Sequence, residues 1–331
     1  MCDCDRRKKC HKKVCCKKLK CLCVPTFDEK LVVYGRTIAQ KILNSIPLSV
    51  GDFPPGGVQS LTAAQKEILR SAETEGMKCC LGCHAGWKLG LATASPSTPA
   101  LGYTSPLFGE LLSKMILVGE HAVIPPNAGL TMSIETDMLF RVSSELINTA
   151  VTPADVLKYV DGVYPAMEYA VVGTTTVTEA SGPLAAPVPG QLNGQGILEV
   201  TNIAARLFLR SPNLIRIPGS SRSLAQWETV LNGGIIANEV LNLTTGPPIV
   251  GSVPPPTTMH LNNLLVLIAK VNASGNKIKK GDLISPGTAI ATRFVSAANP
   301  PVSYVGTYSN LDPNFQVSMS ADFAANGTCF A

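Results

Sequence analysis

The fold turns on one stretch: Thr131-Met132-Ser133-Ile134-Glu135-Thr136-Asp137-Met138-Leu139-Phe140-Arg141-Val142. It is apolar and β-branched, has neither Gly nor Pro, and reads as a β-strand. Successive side chains on a strand face opposite ways. Glu135 and Asp137 therefore share one face, and Ile134, Thr136 and Met138 the other. Two bare carboxylates this close repel each other. A solvated strand face is one resolution. A hard divalent cation between them is another, and carboxylate oxygens suit Mg²⁺, Mn²⁺ or Ca²⁺.

Working outward, Thr152-Pro153-Ala154-Asp155 opens a helix with a capping Thr, Pro at the first position and an acid in the first turn. The pattern carries it to about Val163. After Pro165 a strand is predicted over 166–172, with Glu168 alone among apolar residues. Apolar strands bury carboxylates only when these are paired or bind a cation, which makes Glu168 a third candidate ligand. Upstream, residues 92–130 are rich in Pro and Gly and read as loop with short strands. Before them His84–Leu91 reads as a strand. Two helices precede it, over 27–46 by apolar spacing and over 62–76 behind a Thr62/Gln65 cap. Residues 173–195 read as loop. Downstream, strands are expected near 197–203, 213–217, 227–231, 234–241, 281–292 and 315–319, with one helix over 260–270.

The chain has 331 residues, 45% hydrophobic and 15% charged, enough for a sizeable core. It contains no apolar run of transmembrane length and no visible signal peptide. Its formal net charge of +5 is misleading. Residues 1–23 carry nine Lys/Arg against two Asp, whereas the remainder carries 19 basic and 21 acidic residues. The body is not a nucleic-acid binder by charge. Seven of the eleven cysteines also lie in that tail, so no disulfide framework staples the body, and a reducing compartment is expected. The tail, residues 1–25, reads in three ways: a soft-metal site, S-acylation plus a polybasic patch as a peripheral membrane anchor, or an appendage without a catalytic part. Cys80-Leu81-Gly82-Cys83-His84 fits the pattern of covalent haem attachment, but that needs an oxidising compartment; a partly buried thiol pair beside a strand is the simpler reading.

Five segments together resemble the fumarylacetoacetate hydrolase superfamily. They are most similar to its 2-oxopent-4-enoate hydratase and 4-oxalocrotonate decarboxylase branch, over roughly residues 60–320. Gly86-Trp87-Lys88-Leu89-Gly90-Leu91 resembles the segment that carries an active-site lysine. Ser105-Pro106-Leu107-Phe108-Gly109 resembles a substrate loop. Ile134-Glu135-Thr136-Asp137-Met138-Leu139-Phe140 and Pro165-Ala166-Met167-Glu168 resemble the segments that supply three metal ligands. Lys280-Gly281-Asp282-Leu283-Ile284-Ser285-Pro286-Gly287-Thr288 resembles a late turn that contacts the substrate carboxylate. There are departures: Leu107 stands where an acid is common, Leu91-Ala92-Thr93 keeps one hydroxyl of two, and Val171 replaces an Asp.

The resemblance implies an α+β fold, a mixed β-sheet roll or barrel behind N-terminal helices. It divides the chain into a tail (1–25), a helical region (26–80) and a catalytic domain (81–331). It implies a metal-dependent lyase, a hydratase or decarboxylase working on a 2-oxo acid through a metal-stabilised enolate. Mg²⁺ or Mn²⁺ would sit on Glu135, Asp137 and Glu168, with Lys88 as acid/base and His84 as proton shuttle. Thr93, Leu107, Gly287 and Thr288 would line the substrate. Two alternatives stand beside it, an acylpyruvate-type C–C hydrolase and a non-catalytic relative whose tail is the working part. A homo-oligomer is expected by analogy. A cytoplasmic location is expected too, with peripheral membrane association if the tail is an anchor.

Overall fold

A computed structural model describes residues 27–44, 50–90, 106–124, 132–171, 206–234, 237–252, 260–289, 293–295, 299–312, 314 and 316–324. The predicted tail, Thr93 and the expected strand over 197–203 lie outside these residues.

The chain opens with two helices, α1 (Phe27–Leu43) and α2 (Ala63–Leu81). The Thr62 hydroxyl accepts from the Gln65 amide and the Gln65 side chain accepts from the Thr62 amide, the reciprocal cap that the sequence predicted. The helices pack side by side, Gly35 against Leu69 and Ala72 and Gly76 against Arg36 and Ala39, and Ala39, Met77 and Leu81 bury one face of a large sheet through Leu139, Ala166 and Phe208.

That sheet has β2 (Leu107–Leu112), β1 (His84–Gly90), β11 (Leu283–Ser285), β5 (Met132–Val142), β6 (Val160–Val171), β7 (Arg206–Arg210) and β3 (Ile116–Val118) in spatial order. Two short strands join it off this path: β12 (Arg293–Val295) pairs with β5, and β8 (Ile215–Arg216) with β6. A second sheet runs β10 (Ile249–Ser252), β9 (Ala237–Leu243), β13 (Pro301–Tyr308), β14 (Val317–Phe323) and β4 (His121–Ile124). It packs on the other face of the first, where Tyr304, Met319 and Phe323 meet Ile134, Met167 and Leu209. Three helices close the rest of that face: α3 (Pro153–Tyr159), α4 (Leu224–Thr229) and α5 (His260–Ala273), through Val156, Trp227 and Leu264. The fold is α+β with two mixed sheets.

Local reading missed β7, β10 and β13, drew a strand over 281–292 where β11 spans only Leu283–Ser285, and erred in kind at two places. The helix after Thr152 ends at Tyr159, and β6 begins at Val160 and runs through Pro165. The Pro165 carbonyl accepts from the Ser211 amide beyond the end of β7, and the Ser211 carbonyl, which Pro165 has no N–H to meet, accepts from Arg210 Nη1 at 3.0 Å instead. Residues 227–231, expected as strand, belong to α4 and a wider turn of helix, 230–234. Ser223 and Gln226 form a capping box there, a local signal that outweighs the apolar run.

Candidate metal centre

The antiparallel register of β5 and β6 sets Glu135 directly opposite Glu168, and Asp137 opposite Ala166. Glu135, Asp137 and Glu168 thus rise from one face of the sheet, and a carboxylate oxygen from each lies within 4.8 Å of the others. Asp137 and Glu168 are fully buried and Glu135 nearly so, at 9% exposure. Like charges opposite one another in a ladder destabilise it, and burial raises the cost.

Lys88 supplies part of the compensation. It arises on β1, whose parallel pairing with β11 sets Lys88 beside Ser285. Strand β11 pairs in turn with β5, so the Lys88 side chain crosses Ser285 toward the carboxylates. Its ammonium donates to Asp137 Oδ2 at 3.0 Å, forms a tight ion pair with Glu168, and lies over the Phe208 ring at 5.4 Å, with only 2% of the residue exposed. Gly86 makes this approach feasible: a Cβ there would sit 1.7 Å from the Leu283 carbonyl oxygen. Ser285 Oγ donates to the Asp137 carboxylate at 2.9–3.0 Å and accepts from the Gly287 amide at 3.1 Å. Gly287 adopts φ +96°, which a side chain disfavours, and so turns its amide back onto Ser285. Burial pushes the Asp137 pKa up; Lys88 opposes this and Glu168 adds to it.

The other predicted site residues fall in different places. The Thr288 hydroxyl donates to the Thr136 carbonyl at 3.2 Å and braces the backbone of β5. Leu107 is buried at the start of β2, paired with Gly90. His84 does not reach the carboxylates: Glu110 holds its Nδ1 at 2.7 Å and Asp282 its Nε2 at 3.0 Å. Burial alone would disfavour its charged form, but the two carboxylate hydrogen bonds outweigh burial and raise the pKa to about 9. A histidine locked as a cation is poorly suited to shuttling protons at neutral pH. With both ring nitrogens engaged it is also no haem ligand. Of the Cys80 and Cys83 pair, Cys80 is partly buried, as expected, and Cys83, just beyond the end of α2, is exposed.

Sequence reading missed Ser285 as a direct partner of Asp137, and it missed the tyrosines behind β5. Tyr308 Oη donates a short hydrogen bond to the Asp137 carbonyl. Tyr304 Oη donates to Glu239 Oε2 at 2.8 Å and lies 2.5 Å from Thr136 Oγ1. The inward parity of Glu239 within Ala237-Asn238-Glu239-Val240-Leu241 was the available signal.

No family model matches the sequence, and no curated protein matches it. Solved structures do match its fold. 4-Oxalocrotonate decarboxylase from Pseudomonas putida G7, complexed with magnesium and adipate, superposes with a TM-score of 0.63 at 17% identity over 91% of this chain and 99% of that chain. The same enzyme complexed with calcium and acetate gives 0.59 at 16% identity with the same coverage. A yeast fumarylacetoacetate hydrolase family protein gives 0.43 at 13% identity over 72% of this chain and 93% of that one, too slight a likeness to argue from. The fold is of the fumarylacetoacetate hydrolase type. Within that class it takes the form seen in 4-oxalocrotonate decarboxylase, along the whole length of that enzyme, as the sequence resemblance implied. Among the described residues no helix is long and apolar enough to cross a membrane.

Proposed function

We propose that the chain is a metal-dependent lyase, a hydratase or decarboxylase acting on a 2-oxo acid, with Glu135, Asp137 and Glu168 holding Mg²⁺ or Mn²⁺. One observation carries the reading: among the described residues, three buried carboxylates face the buried ammonium of Lys88. With all groups ionised the cluster bears −2, and a divalent cation brings it to zero. Without one, the cluster is costly to bury. The all-oxygen donor set is that of a hard cation. The neighbouring decarboxylase structures hold magnesium or calcium, which supports the same assignment.

A divalent cation bound here would polarise the keto oxygen of a 2-oxo acid and stabilise the negative charge that develops on it. The chain's own residues do the rest. Glu135 and Asp137 are two residues apart on β5, and Glu168 fixes the third corner from β6. Ser285 holds the Asp137 carboxylate in one orientation. Lys88 sets a positive charge beside the reacting groups and is the candidate acid/base, since its ammonium can give a proton to, and its amine take one from, the substrate carbon next to the keto group. The hydrolase alternative needs a general base to activate water. Of the three described histidines, His84 is held by Glu110 and Asp282, His121 lies 3.0 Å from Ser320 on the second sheet, and His260 is buried at the start of α5. This favours the lyase.

An enolate is common ground for hydration and decarboxylation chemistry, formed by loss of a proton in one and of CO₂ in the other and discharged by protonation, so isotope exchange at C3 tests the reading before the substrate is known. In D₂O, 2-oxopentanoate incubated with the protein and Mn²⁺ or Mg²⁺ should exchange its C3 protons, by NMR. The exchange should stop with EDTA and in Glu135→Ala, whose rate should fall on the order of 10²-fold or more. Exchange that ignores EDTA and the substitution would contradict the assignment.

A further inference from the structure

Among the described residues, the backbone of β5 has no strand partner on one side at the ligand pair. Strand β12 covers Met132–Ile134 and β11 covers Phe140–Arg141, leaving the stretch between them open on that side. The Thr136 carbonyl takes the Ala289 amide at 2.7 Å and the Thr288 hydroxyl instead. Behind this stretch lies β13. Tyr304, Gly306 and Tyr308 alternate along it, and all three face β5. Tyr308 donates to the Asp137 carbonyl. Tyr304 donates its one proton to Glu239, so the Thr136 hydroxyl must donate to Tyr304. A Cβ on Gly306 would stand 2.8 Å from Thr136 Oγ1 and 3.2 Å from its Cγ2, so the glycine lets the two sheets touch.

We propose that Tyr304, Gly306 and Tyr308 form a brace, built into the second sheet, that sets the spacing and twist of Glu135 and Asp137 from behind. This rests on the reading of the carboxylates as metal ligands. The physical need is plain. Three mutually repelling carboxylates splay a strand that is laddered on one side and held at a single carbonyl on the other, and a small hard cation demands near-octahedral oxygens at fixed distances. Strand β6 ties one side, and the turn at Thr288 and Ala289 ties the other at a single carbonyl. The tyrosines tie the third direction, normal to the sheet. They touch neither cation nor substrate, which makes them positioning residues acting through the backbone of the ligands.

The test is Mn²⁺ titration of the full chain followed by electron paramagnetic resonance, with melting temperatures measured alongside. Tyr308→Phe removes one hydroxyl, and Gly306→Ala pushes β13 off Thr136. Each should weaken Mn²⁺ binding on the order of ten-fold, as loss of an outer partner of a metal ligand does, and should alter the line shape of the bound ion. Trp227→Phe, in the core beneath α4, should lower the melting temperature while leaving both metal readouts at wild type. If Tyr308→Phe fails to fold, Tyr304→Phe carries the same expectation. Wild-type affinity and line shape in these variants would overturn the brace. A wild-type chain that takes up no Mn²⁺ would overturn the metal reading itself, and the brace with it.

Discussion

Lys88 is the residue on which the charge balance of the centre depends. Its ammonium touches Asp137 and Glu168, and the residue is 2% exposed. Lys88→Met removes the described cation that touches Asp137 and Glu168, so the metal-free protein should lose about 3–5 kcal/mol, read by denaturant unfolding in EDTA. Added Mn²⁺ should then raise the melting temperature of Lys88→Met by more than it raises that of the wild type. Glu168→Gln works in the opposite sense. It removes the charge facing Glu135, so the metal-free melting temperature should hold or rise while the Mn²⁺-induced increment disappears. His84 makes a separate prediction. Its folded pKa of about 9 lies above the usual 6.5, so the folded state holds the proton more tightly than the unfolded chain does. This stability is complete below pH 6.5 and is lost as pH rises through about 9. The wild-type melting temperature should therefore fall over that window more steeply than that of His84→Gln, which cannot titrate.

At the scale of elements, the site is a consequence of strand order. Strands β1 and β11 are nearly two hundred residues apart in the chain and pair in parallel, which places Lys88 beside Ser285. Gly86→Ala drives a Cβ into the Leu283 backbone, where no flexible side chain can yield. It should cost about 3 kcal/mol or more in denaturant melts and weaken metal binding, because Lys88 and Ser285 move with their strands. Ser223→Ala removes the cap of α4, far from the carboxylates. It should cost about 1 kcal/mol with metal affinity unchanged. The sequence was readable wherever the signal was local. The 131–142 alternation showed that Glu135 and Asp137 share a face, and the Thr62 and Thr152 caps marked two helix starts. It was unreadable where partners are distant. Nothing in periodicity pairs Ser285 with Asp137, gives His84 to Asp282, or brings Tyr308 to the back of β5. Those depend on register across sheets, and the reading of His84 as a shuttle failed for that reason.

At the scale of the molecule, one sheet presents the carboxylates, the two N-terminal helices cover the same face further along, and the second sheet stiffens the back. Glu135, Glu168 and Lys88 lie toward the strand ends that lead into 125–131, 172–205 and 91–105. The family-like motifs of the sequence converge on this end, which is why the candidate ligands were legible in the sequence although no family model or curated protein matches it. The basic, cysteine-rich tail lies outside the described residues, and its charge sets it apart from the near-neutral body. The most direct measurement of the central claim is isothermal titration of Mn²⁺ into the full chain and into Glu135→Ala, with and without oxalate, a chelating mimic of a 2-oxo acid. The account predicts binding near one ion per chain that tightens with oxalate and is lost in the variant. Absence of binding to the wild type, or binding that Glu135→Ala leaves intact, would contradict it.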